Sequence, residues 1–529
     1  MGSKKLQVWL PVLFSLVMIV GMSIGFQLKE KTMSPQFFSF SERTSLQELT
    51  TLIKRKYVDK LAIDSINELA ATELLQHLDP HSVFIPAKEL IAVNEELQGN
   101  FEGIGIEFRV IDDTVNVMNI VKDGPAEKAG VQIGDKLLSV ADSIAVSGKN
   151  IDITTIRKLF RGPINSLVKV KYKRANLVAS VTITRNIITI SSIDAAYMVS
   201  PGIGYIRINK FAERTYEEFM QQLEMLQAKK MQSLVLDLRG NGGGLLDEAV
   251  DIADEFLDDN KLIVYTEGEN APKIEYSCKR PGIFETGKLV LLIDETSASA
   301  SEVLAGALQD WDRATIIGRK SFGKGLVQQQ FQLSDGSAVR LTVARYFTPL
   351  GRNIQKPYDK GIKAYNNELL ARLDKVDTLS KKDSLSKARK AYKTKSGKIV
   401  FGGGGIMPDS IIAFDSSKYP KQFIQLMVTN TLANFSYHYF VEHKDEFKQF
   451  KNPNSLLEKY MPNNKEWTEL LQFSKKQGIE LEKLDATARN RTLITFKSFI
   501  SRYLWRDGGY FIVINSIDPF LEKALSFLK

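Results

Sequence analysis

The chain has 529 residues, 43% of them hydrophobic, so it can bury a large core, and its length predicts about three domains. The 71 Lys and Arg against 62 Asp and Glu leave a net charge of +9, which is mild for this length and argues against a nucleic-acid-binding protein. The single cysteine, Cys278, excludes an internal disulfide framework and a cysteine-based metal cluster. A zinc site is disfavoured because histidines are few and Pro80 separates His77 from His81.

The N-terminal segment has the pattern of a signal or signal anchor. Residues 8–26 carry no charge and follow Lys4 and Lys5. The run is about as long as a membrane-spanning helix requires, and no clear small-x-small cleavage site follows it. We therefore predict an inner-membrane anchor within residues 1–30 and a catalytic or binding region in the periplasm or extracytoplasmic space. A removed signal peptide is the alternative.

The next two segments differ in their hydrophobic periodicity. In residues 40–97 apolar side chains recur at helical spacing, which predicts a small supporting helical segment. Residues 98–186 contain short β-branched runs broken by glycine and predict a compact β-rich domain. Two helices are expected inside it. One begins at Pro125 and ends at Gly130, and the other covers the sequence ITTIRKLF.

The remainder of the chain predicts a core followed by a helical region. In residues 187–415 continuously apolar strands alternate with helices, as in a mainly parallel sheet covered on both faces. Residues 366–398 are lysine-rich and predict an exposed insertion or helical hairpin. Residues 416–529 return to helical periodicity. The fold class is therefore α+β multidomain: an α/β core with a mixed, mainly parallel sheet, an inserted β-rich domain, and helical N- and C-terminal regions.

A serine-rich turn is the first candidate for chemistry. The segment LLIDETSASASEVLAGALQDW passes from a strand through small residues into a helix, so one serine can stand at the helix N-terminus. There, free backbone N–H groups and the helix dipole would stabilise an oxyanion. An inert helix start is the alternative, because Ser299 and Glu302 also fit a capping box. A catalytic serine needs a base, and the scarcity of histidine directs attention to lysine.

Two glycine-containing loops complete the candidate set. Lys324 lies between two glycines in GRKSFGKGLVQ, where the backbone can turn sharply; a solvated loop lysine is the alternative. Upstream, SLVLDLRGNGGG ends a strand in a loop that can present N–H groups to an anion. Nucleotide binding is disfavoured at both loops. Leu245 replaces the third glycine of a dinucleotide fingerprint, and Gly325 replaces the Ser or Thr of a Walker A loop.

Taken together, the motifs LDPHSVF, GIGIEF, GPAEKAGVQIGDKLLSV, DLRGNGGG, TSASASE and GKGLVQ resemble, in the same order, those of the carboxyl-terminal processing peptidases, or tail-specific proteases. The resemblance covers residues 70–365. It implies a serine endopeptidase with a Ser/Lys dyad and a PDZ domain at 98–186. The sequence departs from the family at Arg319 and Lys320, where many relatives have an acidic residue and a proline, and in its long helical C-terminus.

The resemblance assigns roles to residues of these motifs. It identifies Ser299 as the nucleophile, with Ser297 and Ser301 as turn and capping serines. Lys324, 25 residues after Ser299, becomes the base, and Gln328 the residue that orients the lysine. The mechanism that follows is proton removal by neutral lysine, an acyl-enzyme, and activation of water. The implied oxyanion-hole donors are the N–H of Ala300 and one N–H from Gly242 or Gly243.

The resemblance also implies partners. A PDZ domain binds an extended C-terminal peptide as an added strand and holds its carboxylate on backbone N–H groups. The residues expected to do so are Gly103, Ile104, Gly105 and Ile106. Unfolded or C-terminally exposed exported proteins are the implied substrates, and no metal or other cofactor is implied. The C-terminal helices are a candidate surface for a homodimer or an adaptor. A non-catalytic, membrane-anchored PDZ scaffold is the alternative function.

Overall fold

The computed structural model describes residues 14–23, 44–141, 143–148, 152–258, 260–374, 390–415 and 419–529. The chain divides into two units, one ending at Ala71 and one beginning at Thr72, and each is treated by itself. Predicted features that fall in the remaining residues, including residues 375–389 of the lysine-rich stretch 366–398, lie outside the described part.

The helices in chain order are α1 (14–23), α2 (Ser45–Lys56), α3 (Ile63–Gln76), α4 (Ala87–Gln98), α5 (Pro125–Lys128), α6 (Ile153–Phe160), α7 (Thr215–Ala228), α8 (Leu246–Asp254), α9 (Ala300–Asp310), α10 (Ile362–Asp374), α11 (Lys421–Val428), α12 (Thr431–Glu442), α13 (Lys444–Phe447), α14 (Pro453–Lys459), α15 (Asn464–Lys476), α16 (Ala486–Ile514) and α17 (Pro519–Leu528). A 3-10 turn, Asn515–Ile517, joins the last two.

The strands in chain order are β1 (Val83–Ile85), β2 (Asn100–Gly103), β3 (Ile106–Ile111), β4 (Thr114–Ile120), β5 (Lys136–Val140), β6 (Ile144–Ala145), β7 (Leu167–Arg174), β8 (Leu177–Thr184), β9 (Asn186–Thr189), β10 (Ile193–Ser200), β11 (Ile203–Ile208), β12 (Ser233–Asp237), β13 (Leu262–Gly268), β14 (Ala271–Ser277), β15 (Lys288–Ile293), β16 (Thr315–Gly318), β17 (Leu326–Gln332), β18 (Ala338–Phe347), β19 (Ala391–Lys393), β20 (Ile399–Phe401) and β21 (Ser410–Ile411).

The first unit contains α1 and α2. A capping box of Thr44 and Gln47 starts α2, and its last turn carries three basic residues, both of which favour a helix in these positions. Of the predicted anchor at 8–26, only 14–23 is described, and the rest lies outside the described residues. None of the helices in the described ranges is both long and apolar enough to cross a membrane.

The predicted β-rich domain lies between α4 and β10. Its sheet has the order β3-β4-β5-β7-β8, with β6 paired to β5, and the chain enters and leaves through the antiparallel pair β2 and β9. Ile104, Val117, Leu137, Ile156 and Val170 are buried together in its core. The two helices expected from the sequence are present as α5 and α6. Gly124 precedes Pro125 at the first position of α5, where a missing N–H costs nothing.

The core is built on the sheet β10-β11-β12-β15-β16-β21, in which every pair from β11 onward is parallel. Every residue of β12 is buried, as a strand covered on both faces requires. One face packs on a cluster that includes residues of α7, α8 and α9, and the other packs on α17. The predicted fold class, α+β with a mixed, mainly parallel core sheet, is confirmed.

A second, antiparallel sheet completes the core. Its order is β1-β18-β13-β14, and β17 pairs with β18 along nearly its whole length. The loop Arg319–Gly325 joins β16 of the parallel sheet to β17 of this one. The connection matters for the site, because Lys324 stands at its end.

The C-terminal helices are not a separate layer. Their apolar core contains Phe435, Phe440 and Phe496 together with Ile111 and Met118 of the β-rich domain. The long helix α16 is kinked, since Trp505 and Arg506 have non-helical backbone angles. After the kink the chain continues into α17, which covers the parallel sheet. This region therefore packs against both the β-rich domain and the core.

Candidate active site

The serine-rich turn places Ser299 at the N-cap of α9, directly after β15. Its backbone angles are φ 54 and ψ −116, a region that residues with a side chain rarely occupy. Such strain costs about 1–3 kcal/mol and persists only where the surroundings hold it. The two neighbouring serines help to fix the turn in this conformation. Ser297 Oγ donates to Leu238 O at 2.8 Å, and Ser301 Oγ donates to Asn241 O at 3.0 Å.

The glycine loop lies against this turn. A Cβ at Gly243 would lie 2.7 Å from Ser299 Cβ, so only glycine permits this approach, and its φ of +99 also requires glycine. The N–H of Gly243 donates to Asn241 Oδ1 at 2.8 Å. The N–H groups of Gly242 and Ala300 donate to no other described residue. Of the predicted oxyanion donors, these two amides are the ones left available.

Lys324 is held by Gln328 and by the LDPHSVF segment. Its Nζ donates to Gln328 Oε1 at 2.8 Å, and Gln328 Nε2 donates to the carbonyl of His81. Asp79 fixes that segment by accepting from His81 N at 2.7 Å and from Ser82 N at 2.9 Å. The lysine head is therefore oriented by a chain of hydrogen bonds that begins about 250 residues upstream, at 79 against 328.

The surroundings of Lys324 favour its neutral form. Burial lowers the pKa of Lys324 below its ordinary value, and the positive charge of Arg340 lowers it further, while Glu302 and Asp79 oppose the shift. The nearby ring of His81 is neutral near pH 7, because burial lowers the pKa of His81 to about 4. His81 Nε2 makes its hydrogen bond with Tyr365 Oη at 2.7 Å. A neutral amine can accept a proton, which a charged lysine cannot.

Glu302 connects the serine turn to the lysine loop. Its fully buried carboxylate accepts from the backbone N–H of Ser299 at 3.0 Å, Gly323 at 2.8 Å and Lys324 at 2.8 Å, and from the hydroxyl of Ser321. Burial raises the pKa of Glu302 to about 7, although the four donors favour the ionised form. The sequence marks Glu302 only as a capping residue, and its bonds across the fold carry no local signal.

A cavity of about 610 Å³ brings the predicted residues together. Six predicted residues line it: Ser299, Ala300, Lys324, Gln328, Gly242 and Gly243. Apolar side chains of α4, α8, α9 and β17 form much of the remaining wall. Tyr346 closes its floor, with Oη 3.1 Å from the carbonyl oxygen of Ser299 and in contact with that of Lys324. The arrangement can hold an extended peptide beside a hydroxyl, a buried amine with a lowered pKa, and backbone amides without another acceptor.

The start of the lysine-rich segment, residues 366–374, belongs to α10 and contacts the loop that carries Lys324. In α10, Arg372 Nη1 donates to Ser321 O at 2.7 Å and Arg372 also pairs with Glu368. Glu368 in turn binds Lys356, whose ammonium lies over the rings of Phe322 and Tyr365. The helix thus braces the loop that carries Lys324. Residues 375–389 lie outside the described part, so the exposed insertion or helical hairpin expected over 366–398 stays a prediction.

The β-rich domain contains a separate groove of about 210 Å³ between β3 and α6. Of the four residues predicted to bind a peptide, Ile104, Gly105 and Ile106 line it, whereas Gly103 lies in β2 and is paired with Asn186. Three residues that were not predicted also line the groove from the helix side: Arg157, Phe160 and Arg161. The open edge of β3 beside a helix is the geometry that accepts an added strand.

Comparison with known proteins agrees with this geometry. Residues 202–364 match Peptidase family S41, residues 103–184 match the PDZ domain, and residues 422–507 match a family of unknown function (DUF8443). A carboxy-terminal-processing protease of Bartonella bacilliformis is 34% identical over 309 residues, 57% of this chain and 70% of that protein. A probable CtpA-like serine protease of Staphylococcus haemolyticus is 36% identical over 312 residues, 59% of this chain and 61% of that protein.

Among solved structures, the photosystem II D1 C-terminal processing protease is 33% identical, with 59% of this chain and 83% of that chain covered at a TM-score of 0.35. The chain spans less than two thirds of the staphylococcal relative. The sequence matches show that this chain belongs to peptidase family S41, the class of serine peptidase that the core and its cleft define. Within that family it is a PDZ-containing peptidase of the carboxy-terminal-processing type.

Proposed function

We propose that this chain is an exported serine endopeptidase that cleaves proteins by a Ser/Lys dyad after binding their C-termini in its PDZ groove. One observation carries the proposal: Lys324 Nζ is bound to Gln328 Oε1 at 2.8 Å in the cavity that also exposes the strained Ser299. A lysine held by an uncharged amide and desolvated by burial is suited to be a base.

The steps follow from these positions. Neutral Lys324 takes the hydroxyl proton of Ser299, and the serine oxygen attacks the substrate carbonyl. The N–H groups of Ala300 and Gly242 stabilise the oxyanion, helped by the dipole of α9. The lysine then passes its proton to the leaving amine, and afterwards removes a proton from the water that hydrolyses the acyl-enzyme. Gln328 keeps the lysine head in place throughout.

Substrate selection is the second part of the proposal. The substrate tail adds to the edge of β3, with its carboxylate on the amides around Ile104 and Gly105 and its last side chain in the groove beside Phe160. Beside the charged Glu107, Arg157 and Arg161, the groove is lined by apolar and aromatic side chains that include Phe108 and Phe160, and this apolar part favours an apolar C-terminal residue. Unfolded proteins present such tails together with flexible cleavage sites.

Location and assembly complete the proposal on sequence grounds. The uncharged run at 8–26 behind Lys4 and Lys5 supports export and anchoring by the N-terminal segment. The C-terminal helices keep exposed apolar side chains, Ile424, Val428 and Met461, which supports an adaptor or dimer surface there. Accessibility of the chain to added protease in spheroplasts, compared with intact cells, tests the location.

The central experiment compares cleavage of an unfolded protein with an apolar C-terminal tail by the wild-type chain, Ser299→Ala and Lys324→Ala. Loss of about 10³-fold or more in kcat is expected in both variants, since nucleophile and base act as a unit. Lys229→Ala, an exposed lysine at the end of α7, is the matched control. Equal cleavage by all forms would exclude the dyad. A wild type that binds the tail but does not cleave would favour the PDZ scaffold.

A further inference from the structure

The catalytic cleft contains two cations, Lys210 and Arg340, that transfer no proton in the dyad mechanism, although the charge of Arg340 lowers the pKa of Lys324. Lys210 precedes Phe211, whose N–H donates to Gly243 O at 3.0 Å, so the lysine stands beside the glycine loop. Arg340 lies on β18 opposite Gln330, one same-face position from Thr342, which pairs with Gln328. Both side chains line the cavity that contains Ser299 and Lys324.

Neither cation has a carboxylate partner. Within the described ranges no ion pair involves Lys210 or Arg340, and the side chain of Arg340 donates only to Gln330 Oε1, at 3.2 Å. Burial lowers the pKa of Lys210 and the pKa of Arg340, so both charges are costly where they stand. A partly buried cation that faces a cleft and has no counter-ion is stabilised when a ligand brings a negative group to it, because the charge then gains a charge-assisted hydrogen bond.

Two carboxylates oppose these charges: Glu96, which is exposed on α4, acts on both cations, and Glu218, which does not line the cavity, acts on Lys210. Val93, Glu96 and Leu97 share one helical face and line the same cavity. Glu96 acts on both cations through its charge but bonds to neither. Apart from Lys324, the charged side chains that line the cleft are therefore two cations and one solvated carboxylate. This excess of positive charge favours a substrate that carries a negative group.

We propose that Lys210 and Arg340 form a carboxylate-binding subsite of the catalytic cleft, so that the peptidase prefers substrates with Asp or Glu close to the scissile bond. The inference rests on the proposed function and adds a substrate class to it. The guanidinium of Arg340 can hold a carboxylate in bidentate fashion, and the ammonium of Lys210 adds a point charge. Glu96 repels the same group and limits the preference.

The carboxylate can come from an acidic side chain or from a chain terminus, and peptide design separates the two. Long peptides whose common apolar tail reaches the PDZ groove place only side chains in the cleft. Short peptides that end beside the scissile bond, with a free or an amidated terminus, bring the terminal carboxylate instead. A preference seen only in the free short peptides would assign the subsite to a terminus and overturn the side-chain preference.

The test uses the full chain and three long peptides that differ only in Glu, Gln or Lys at each position flanking the scissile bond. We expect kcat/KM for Glu to exceed that for Lys by about tenfold at one or two positions, the size of one charge-assisted hydrogen bond. The ratio should shrink as salt is added, because the subsite is open to solvent on one side. Binding of the same peptides to the Ser299→Ala chain should follow the same order.

Charge variants assign the preference to the cleft. Lys210→Glu and Arg340→Glu should each reverse the ratio toward Lys, whereas Glu96→Gln, an exposed and structurally mild change, should widen it in favour of Glu. Lys229→Glu, outside the cavity, is the matched control and should leave the ratio as it is. A ratio at or below one, or a ratio unmoved by all three cleft variants, would overturn the subsite.

The same design separates this inference from the proposed function. If the wild type cleaves the Gln peptide but has equal kcat/KM for the Glu, Gln and Lys peptides, the carboxylate subsite is wrong and the proposed peptidase activity is retained. If no peptide is cleaved, the proposed peptidase activity is wrong. The relative affinities of the Glu, Gln and Lys peptides for the Ser299→Ala chain then still test the subsite. Binding that is stronger for Glu than for Lys, and reversed by Lys210→Glu, would support it in either case.

Discussion

The catalytic cleft and the PDZ groove are two binding sites of one chain that are assembled in different ways. The groove takes most of its wall from a contiguous stretch, Phe101 to Phe108, and the rest from one neighbouring helix. The cleft takes its wall from α4, the loop after β11, the glycine loop, α8, α9 and the β17–β18 hairpin, which are spread from Val93 to Tyr346. Local sequence can therefore specify the groove, whereas the cleft exists only when distant segments meet.

The two sites also differ in what they need from their surroundings. A strand-accepting groove uses main-chain N–H and C=O groups that any extended strand offers. In the proposed mechanism the cleft must hold Ser299 in its strained conformation and keep Lys324 neutral. The buried carboxylate of Glu302 and the bonds of Gln328 supply that support. The proposed catalysis therefore depends on buried polar contacts, and the proposed recognition depends on an exposed strand edge.

The largest expected effect comes from removing the buried acceptor under the cleft. In Glu302→Ala three backbone N–H groups and the Ser321 hydroxyl lose their acceptor, so the free energy of unfolding should fall by about 3 kcal/mol or more. Urea unfolding of the full chain measures it. Glu217→Ala, which removes an exposed surface partner of Arg214, should change stability by less than about 0.5 kcal/mol. Similar losses of unfolding free energy in both variants would contradict a stabilising role for the buried hydrogen bonds of Glu302.

The next largest effect is expected when Lys324 is kept but Gln328, the residue that orients it, is changed. Gln328→Ala leaves Lys324 without its side-chain partner, and kcat should fall by about 10²-fold while the fold is kept. Gln328→Glu restores an acceptor but adds a negative charge, which raises the pKa of Lys324. Because the neutral lysine is the active form, the rising limb of the kcat–pH profile should then move to higher pH. An unshifted profile in Gln328→Glu would argue against Lys324 as the base.

The features that the sequence predicts correctly are the ones that depend on local segments. The serine turn, the glycine loop and the lysine loop are local motifs, and their residues do line one cavity. Strand and helix periodicity also located α5, α6 and α9 and the core strands. These features depend on neighbours along the chain, which periodicity and turn chemistry report directly.

The features that were missed depend on pairing between distant segments. Nothing near Gln328 indicates that its amide binds the carbonyl of His81, since that contact needs β1 and β17 on the same strand, β18. Likewise the helical pattern of the C-terminal region predicts helices but not the kink at Trp505 and Arg506, nor the burial of Phe520 against the core sheet. Long-range contacts of this kind have no periodic signature.

A third prediction tests the groove alone. Gly105 has φ +76, and a Cβ there would lie 3.0 Å from Ile188 Cδ1, so Gly105→Ala strains the loop that carries the carboxylate-binding amides. Affinity of the Ser299→Ala chain for a labelled C-terminal peptide should fall by about tenfold, measured by fluorescence anisotropy. Gly130→Ala, at φ +83 with open space around its Cβ position, carries similar strain away from the groove and is the control. Equal losses would mean that general destabilisation, and not the groove, sets affinity.

The smallest effect is expected at α17, the C-terminal helix that packs on the core sheet and does not line the groove. Asp518 caps α17 through Phe520 N at 2.9 Å and accepts from Arg239, just before the glycine loop, at 2.6 Å. Asp518→Asn keeps the cap and one acceptor, and Arg239 keeps Asp237, so stability should fall by only about 1 kcal/mol. Urea unfolding measures this loss, with Asp445→Asn, an exposed surface change, as the control. We expect a modest loss in kcat and unchanged peptide affinity, because Arg239 adjoins the cleft while the groove does not contact α17. Equal losses in kcat and peptide affinity would mean that both sites depend on the C-terminal helices.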